Sequence, residues 1–266
     1  MYEILSDDYD RFVNWQNRLA IEMPFILDHL RIANAANVLD AATGTGMHAV
    51  ALAKQNFQVT GADISMGMIK HARKNAIDFG VEARFEISGF GSLALTFGVQ
   101  SFEAVLCLGN SLPHLLSRED LDRALADFAA CLKTEGVLII QNRNFDAVLT
   151  NRERWMEPQS HIEENTEWIF QRFYDFDSDG LLTFNMVILK KHGGGKWEQK
   201  VVSSRLRPIL KVELLLSLSE AGFTDPICYG DMSGTPYDHD SSPNLVVVAR
   251  KYSSSPAAYN PKSSTF

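Results

Sequence analysis

Residues 38–46, VLDAATGTG, place a carboxylate, Asp40, four residues ahead of two closely spaced glycines, Gly44 and Gly46. Glycines at that spacing permit a tight turn and close backbone approach by a nucleotide-like ligand at a strand's C-terminal edge. The third glycine of a dinucleotide fingerprint is replaced by Ala49. A pyrophosphate needs amides and no neighbouring carboxylate, so Asp40 points to a ligand with a cationic centre and an ammonium group. Asp63, at the end of VTGAD, stands where a carboxylate accepts both hydroxyls of a ribose; the plainer reading makes it a cap on the next helix. FEAVLCLGNSLPHL stops being apolar at Gly109 and Asn110. That carries polar groups to the sheet edge, with Asn110 and His114 facing the cleft. His114 has the competing reading of a histidine packed under the following helix. Arg143, directly past GVLIIQN, suits a bidentate fork on a carboxylate, against the alternative of a surface salt bridge. Tyr9, Trp15, Trp168, Phe170, Phe173 and Tyr174 supply aromatic surface, and by parity Trp168, Phe170 and Tyr174 share one strand face with Phe173 opposite.

These residues need elements to hold them. Residues 9–33 have apolar residues three or four apart, predicting helices with Pro24 starting a new one. NVLDAATGTGMHAVALAKQNFQVTGADIS reads as strand, glycine turn, helix, strand. A helix capped by Ser65 and stopped at Gly80 follows, then strands at ARFEIS, FEAVLCL and GVLIIQN, with the helix REDLDRALADFAACLK before the last. Short apolar strands alternating with amphipathic helices predict an α/β sheet covered on both faces. After Asn142 the rhythm changes: 167–175, 181–190 and 197–207 read as strands joined by the turns DSDG and HGGG, an inserted antiparallel arm. KVELLLSLSEAGF and NLVVVARK return to helix and strand. The expected organisation is a helical lid (1–33), an α/β core (34–150), a substrate arm (151–209), completion of the core (210–252) and a disordered tail (253–266).

Composition narrows the function. The 266 residues carry 25 Lys and Arg against 33 Asp and Glu, a formal charge of −8, which argues against nucleic acid or an anionic membrane as principal partner. There is no long apolar run, and the acidic opening MYEILSDDYD is unlike a secretory signal, so a cytoplasmic location is expected. Three scattered cysteines without a CxxC pair argue against a disulfide framework or a cysteine zinc site, and no metal is expected. Monomer and homo-oligomer both stay open.

With these residues assembled, the sequence resembles the class I S-adenosylmethionine-dependent methyltransferases, and more narrowly the glycine N-methyltransferase group. DAATGTG resembles that family's first motif and VTGADIS its acidic second-strand motif; LCLGNSLPHL and IIQNRNFDAVL carry the narrower likeness. The likeness covers about residues 9–250. It implies a Rossmann-like, mostly parallel seven-stranded methyltransferase sheet with an N-terminal helical lid and an inserted antiparallel β arm. S-adenosylmethionine is the implied cofactor. Asp40 would lie by its ammonium, with Ala42, Gly44 and Gly46 at the same end; Asp63 would hold the ribose, and Ile64 and Met68 the adenine. Tyr9 and Arg18 would close the lid on it, the arginine clasping the methionyl carboxylate, and Leu108 and Asn110 would border the sulfonium. Gly89 departs from the acid that holds adenine in many relatives, leaving backbone groups of Gly89 and Phe90 to substitute. Trp15, Asn110, His114, Arg143 and Tyr174 would form the acceptor site, with Asn110, His114 and Tyr174 nearest the chemistry. The implied activity is methyl transfer to the nitrogen of a small amine or amino acid such as glycine. The alternative is transfer to oxygen, sulfur or carbon of another small molecule, which needs His114 or a tyrosine as base.

Overall fold

The computed structural model describes residues 2–252; the tail expected to be disordered lies outside them. Three helices open the chain, α1 (Tyr2–Leu5), α2 (Tyr9–Phe12) and α3 (Trp15–Ile32). The core then runs β1 (Asn37–Asp40), α4 (Met47–Ala53), β2 (Gln58–Asp63), α5 (Met66–Asp78), β3 (Arg84–Ile87), α6 (Leu93–Phe97), β4 (Phe102–Cys107), α7 (Arg118–Cys131), β5 (Leu132–Arg143) and α8 (Phe145–Thr150). The arm comprises β6 (Gln159–Glu163), β7 (Thr166–Phe176), β8 (Leu182–His192) and β9 (Glu198–Leu206). The core closes with α9 (Lys211–Glu220), β10 (Phe223–Tyr229) and β11 (Asn244–Lys251).

The seven core strands lie in the order β10-β11-β5-β4-β1-β2-β3, parallel except that β11 runs antiparallel to both β5 and β10. Both faces are apolar because the strands carry apolar residues at successive positions. In β4, Val105 and Cys107 pack with α7 and α9, while Ala104 and Leu106 pack with α3, α4 and α5. Strand order reverses between β1 and β4, so their C-terminal ends border the crevice where open α/β sheets bind ligands.

Helix α3 corrects one expectation. It runs unbroken through Pro24, although an interior proline loses a backbone hydrogen bond and costs about 3 kcal/mol. Met23 and Phe25, Ile26 and Leu30 are buried on either side of it in one cluster with the sheet, which holds both halves on one axis.

The arm is a four-stranded antiparallel sheet, β6-β7-β8-β9. Trp168, Phe170 and Tyr174 share its buried face, as their parity predicts, while Phe173 is only half-buried. Trp168 and Phe170 pack with Leu5, Tyr9 and Phe12 of the opening helices. Tyr174 packs with Phe145 and Val148 of α8. Lid and arm therefore meet above the core sheet.

Candidate functional site

Strand β1 delivers Asp40 to the crevice with 1% of its surface exposed; its Oδ2 accepts a 2.8 Å hydrogen bond from Thr43 Oγ1. Burial pushes its pKa up, opposed by the nearby His48 and by Thr43. The chain then turns through Gly44 at φ +55° and Gly46 at φ +79°, where α4 starts. A Cβ on Gly46 would meet Ala72 Cβ at 2.8 Å and the Phe85 ring at 3.0 Å. Glycine is required there both for backbone conformation and for close packing against α5 and β3.

Asp63 ends β2. Its Oδ2 accepts from the Gly44 N–H at 3.0 Å and its Oδ1 from the Ser65 N–H at 2.9 Å. Ser65 caps α5, its hydroxyl accepting from the Met68 N–H at 3.1 Å. Asp63 thus fixes the glycine turn, and each oxygen keeps a second lone pair for a ligand. Burial raises its pKa as well.

A narrow groove of about 60 Å³ runs between this turn and the opening helices. Asp63, Ala42, Gly44, Met68 and Leu108 form its core side. Tyr9, Trp15 and Arg18 form the lid side, so Trp15 stands at this groove. Asp10 ties the lid down, accepting from Trp15 Nε1 at 2.7 Å, Thr45 Oγ1 at 2.5 Å and Asn75 Nδ2 at 3.1 Å.

Arg18 is held by a buried network that sequence reading missed. Its Nε donates to Glu22 Oε2 at 3.0 Å and its Nη2 to Gln141 Oε1 at 3.3 Å. His48 Nε2 lies 2.6 Å from the same Glu22 oxygen, and Gln141 Nε2 donates to Glu22 Oε1. Burial works to raise the Glu22 pKa, but His48, Arg18 and Gln141 overcome it and hold the carboxyl at about 2.

Ile64, Gly89 and Phe90 sit outside the groove lining, as do Asp40 and Gly46, both of which are buried. Ile64 is exposed and approaches Gly89. The Gly89 carbonyl accepts from the N–H and hydroxyl of Ser92, and the Phe90 ring packs edge-on to Phe128 at 5.4 Å.

The second space, about 580 Å³, shares Tyr9, Arg18 and Gly109 with the groove and opens towards the arm. Asn110, at φ +67°, joins two strand ends: its N–H donates to the Gln141 carbonyl, and its Oδ1 accepts from the Arg143 N–H at 2.9 Å. His114 enters from the turn Leu112–His114, with Nδ1 3.3 Å from Ser204 Oγ on β9; burial pushes its pKa down to about 4. Tyr174 comes from β7, and burial pushes its hydroxyl up to about 12. Arg143 Nη2 donates to Glu153 Oε2 at 2.8 Å. Arg172, also on this wall, was not singled out from sequence, though it shares the parity of Trp168, Phe170 and Tyr174.

A mostly parallel seven-stranded sheet with a glycine turn after β1, an acid after β2, and a capped cavity past β4 and β5 defines a class I methyltransferase. Residues 38–136 match the methyltransferase domain family. The glycine/sarcosine N-methyltransferase of Aphanothece halophytica is 32% identical over 92% of this chain and 87% of its own length. The glycine/sarcosine/dimethylglycine N-methyltransferase of Actinopolyspora halophila is 30% identical over 92% of this chain, which spans 41% of that longer protein. A methyltransferase structure from Clostridium acetobutylicum superposes with a TM-score of 0.74, covering 95% of this chain and 99% of that one, at 15% identity. The chain belongs to the S-adenosylmethionine-dependent methyltransferases, close to the glycine N-methyltransferase group, and S-adenosylmethionine is its methyl donor.

The donor set fits that cofactor. A buried carboxylate whose pKa is raised by desolvation is stabilised when a cation arrives beside it, as Asp40 requires. Asp63 offers acceptors, and Met68 and Leu108 offer an apolar wall.

Proposed function

We propose that the protein methylates the nitrogen of a small amino acid such as glycine, with the donor in the groove beside Asp40 and Asp63 and the acceptor in the cavity under the arm. The observation that carries this reading is the Asn110–Arg143 junction. It places a polar side chain and a guanidinium at the ends of two adjacent strands, beside the groove. The bound donor supplies an activated methyl group on a sulfonium, which leaves as a neutral thioether.

The rest belongs to the chain. Asp40 faces the donor's ammonium, Asp63 its ribose, and Arg18, aimed by Glu22 and Gln141, its carboxylate. Arg143 and Asn110 orient the acceptor carboxylate so that its amine lone pair points at the groove. Alignment of the reacting pair and exclusion of water by lid and arm supply most of the rate. His114, pushed down to about 4, is a neutral imidazole at pH 7 that can accept a hydrogen bond from the attacking amine. Tyr174, at about 12, stays protonated and donates. A hydroxyl acceptor would need a stronger base than either provides, which favours nitrogen over oxygen.

The test is S-adenosylhomocysteine release by the purified protein with glycine, sarcosine, simple amines, phenols and thiols. Turnover of glycine or another amino acid is expected. Turnover confined to phenols or thiols would overturn the reading.

A further inference from the structure

The acceptor cavity holds a cation that one carboxylate does not need. Along the inward face of β7 the residues are Trp168, Phe170, Arg172 and Tyr174, three of them buried apolar or aromatic groups and the second-last a guanidinium. An uncompensated charge in such a row is strongly unfavourable. The other two arginines of the wall each have a carboxylate partner, Arg18 in Glu22 at 3.0 Å and Arg143 in Glu153 at 2.8 Å, and Arg143 keeps an unpartnered Nε for the acceptor carboxylate. Among the described residues Arg172 makes no ion pair, and its guanidinium carbon lies 4.8 Å from the Phe12 ring. Glu157, the remaining acid of the wall, is exposed and makes no ion pair among the described residues.

Unmet hydrogen-bonding capacity gathers in the same wall. Asn142 Nδ2 and Oδ1, Arg143 Nε and Arg172 Nε are all buried without a hydrogen-bond partner among the described residues, and all three residues line this cavity. Burial lowers the pKa of Arg172, the direction for a cation lacking its counter-ion. The space is also generous. At about 580 Å³ it falls within the roughly 300–1,000 Å³ of sites for much larger ligands than glycine.

We propose that Arg172 is a second anion subsite, so that the preferred acceptor is an amino acid bearing a further carboxylate or phosphate besides its α-carboxylate. This rests on the reading that an amino acid is methylated at nitrogen. Arg143 stands at the end of the core sheet and Arg172 on the arm, so the two anionic groups are met by different elements. The planar guanidinium, set against the Phe12 ring, offers paired donors that match either oxyanion.

The experiment compares glycine, aspartate, glutamate and O-phosphoserine as acceptors for the wild-type protein and for Arg172→Gln and Arg172→Lys. Melting curves confirm that each variant is folded. The wild type is expected to show at least tenfold higher kcat/KM for a dianionic acceptor than for glycine. Carboxylate against phosphate in the panel identifies which oxyanion is used. Arg172→Gln is expected to lower the ratio of dianion to glycine kcat/KM at least tenfold, with partial recovery in Arg172→Lys. An unchanged ratio, or a wild type that turns over glycine and no dianion, overturns the subsite and leaves N-methylation standing. If no amino acid is turned over, N-methylation falls. Calorimetric titration of aspartate and O-phosphoserine into protein saturated with S-adenosylhomocysteine then decides the subsite. Binding at least tenfold weaker in Arg172→Gln supports it, and equal or no binding overturns it.

Discussion

At the scale of single residues, Asp40 and Asp63 are carboxylates whose pKa values burial pushes upward, and a ligand bringing positive charge or hydroxyl donors would relieve each. Asp63 has two tasks, since it also receives the Gly44 and Ser65 N–H groups. Asp63→Ala should therefore weaken S-adenosylmethionine binding by about 1.5–3 kcal/mol, the range for hydrogen bonds to a charged group. Asp63→Asn, which keeps one carbonyl acceptor, should fall between. Calorimetry reads both, and an unchanged Kd in the alanine variant would remove the ribose assignment. Arg143→Lys keeps the charge and loses the planar fork, so kcat/KM for glycine should fall tenfold or more while methylamine is affected far less. Equal losses, with a lowered Tm, would instead make Arg143 the structural partner of Glu153. The candidate site residues legible in the sequence were those at or just past the end of an apolar strand: Asp40, Asp63, Asn110 and Arg143. Glu22, His48 and Gln141 were not, because their partners are 26 and 119 residues apart and no local pattern joins them.

At the scale of elements, the site depends on lid and arm meeting. Phe170 is fully buried in β7, and its ring meets Phe12 of α2 edge-on at 5.6 Å. The ion pair of Arg11 with Glu163 at 2.6 Å also joins lid to arm, from α2 to the neighbouring strand β6, but is solvent-accessible. Phe170→Ala should cost about 3–5 kcal/mol as transfer and cavity terms add, whereas breaking an accessible ion pair, as in Arg11→Ala, should cost under about 1 kcal/mol. Urea denaturation separates them, and similar losses would mean that charge rather than packing joins lid to arm. The elements legible in the sequence were those with a strong apolar period: the helices of residues 9–33, β1 to β5, α4, α5, α7, β7 to β9, α9 and β11. β6 escaped because QSHIE is a polar edge strand with little buried surface. β10 escaped because Pro226 and a left-handed Asp225 interrupt it, with a register shift between Thr224 and Ile227. The short helices α6 and α8 carry too few turns to show a period.

Across the whole molecule, the Glu22 network joins α3, α4 and β5, so its titration acts on fold and donor site together. Glu22 titrates at about 2 in the folded protein against an ordinary 4.5. Its folded pKa is depressed, so its contribution is complete above pH 4.5 and disappears as pH falls from there to about 2. Roughly 2.5 units corresponds to about 3 kcal/mol. His114 has the same sign in the adjoining window. With a folded pKa of about 4 against 6.5, the unfolded chain takes up a proton that the folded chain refuses, so stability falls between pH 6.5 and 4. Stability measured by denaturant should thus decline continuously from pH 7 to pH 3. His114→Asn should flatten the upper part of that decline and Glu22→Gln the lower part. Glu22→Gln should also lower stability at pH 7, because Arg18 then loses its carboxylate partner while still part-buried. Loosening Arg18 should weaken S-adenosylmethionine binding in that variant at pH 7, whereas in the wild type folded Glu22 stays ionised, and Arg18 stays aimed, until pH approaches about 2. If Glu22→Gln instead kept full donor affinity while losing stability, the network would be holding the lid's fold without aiming Arg18.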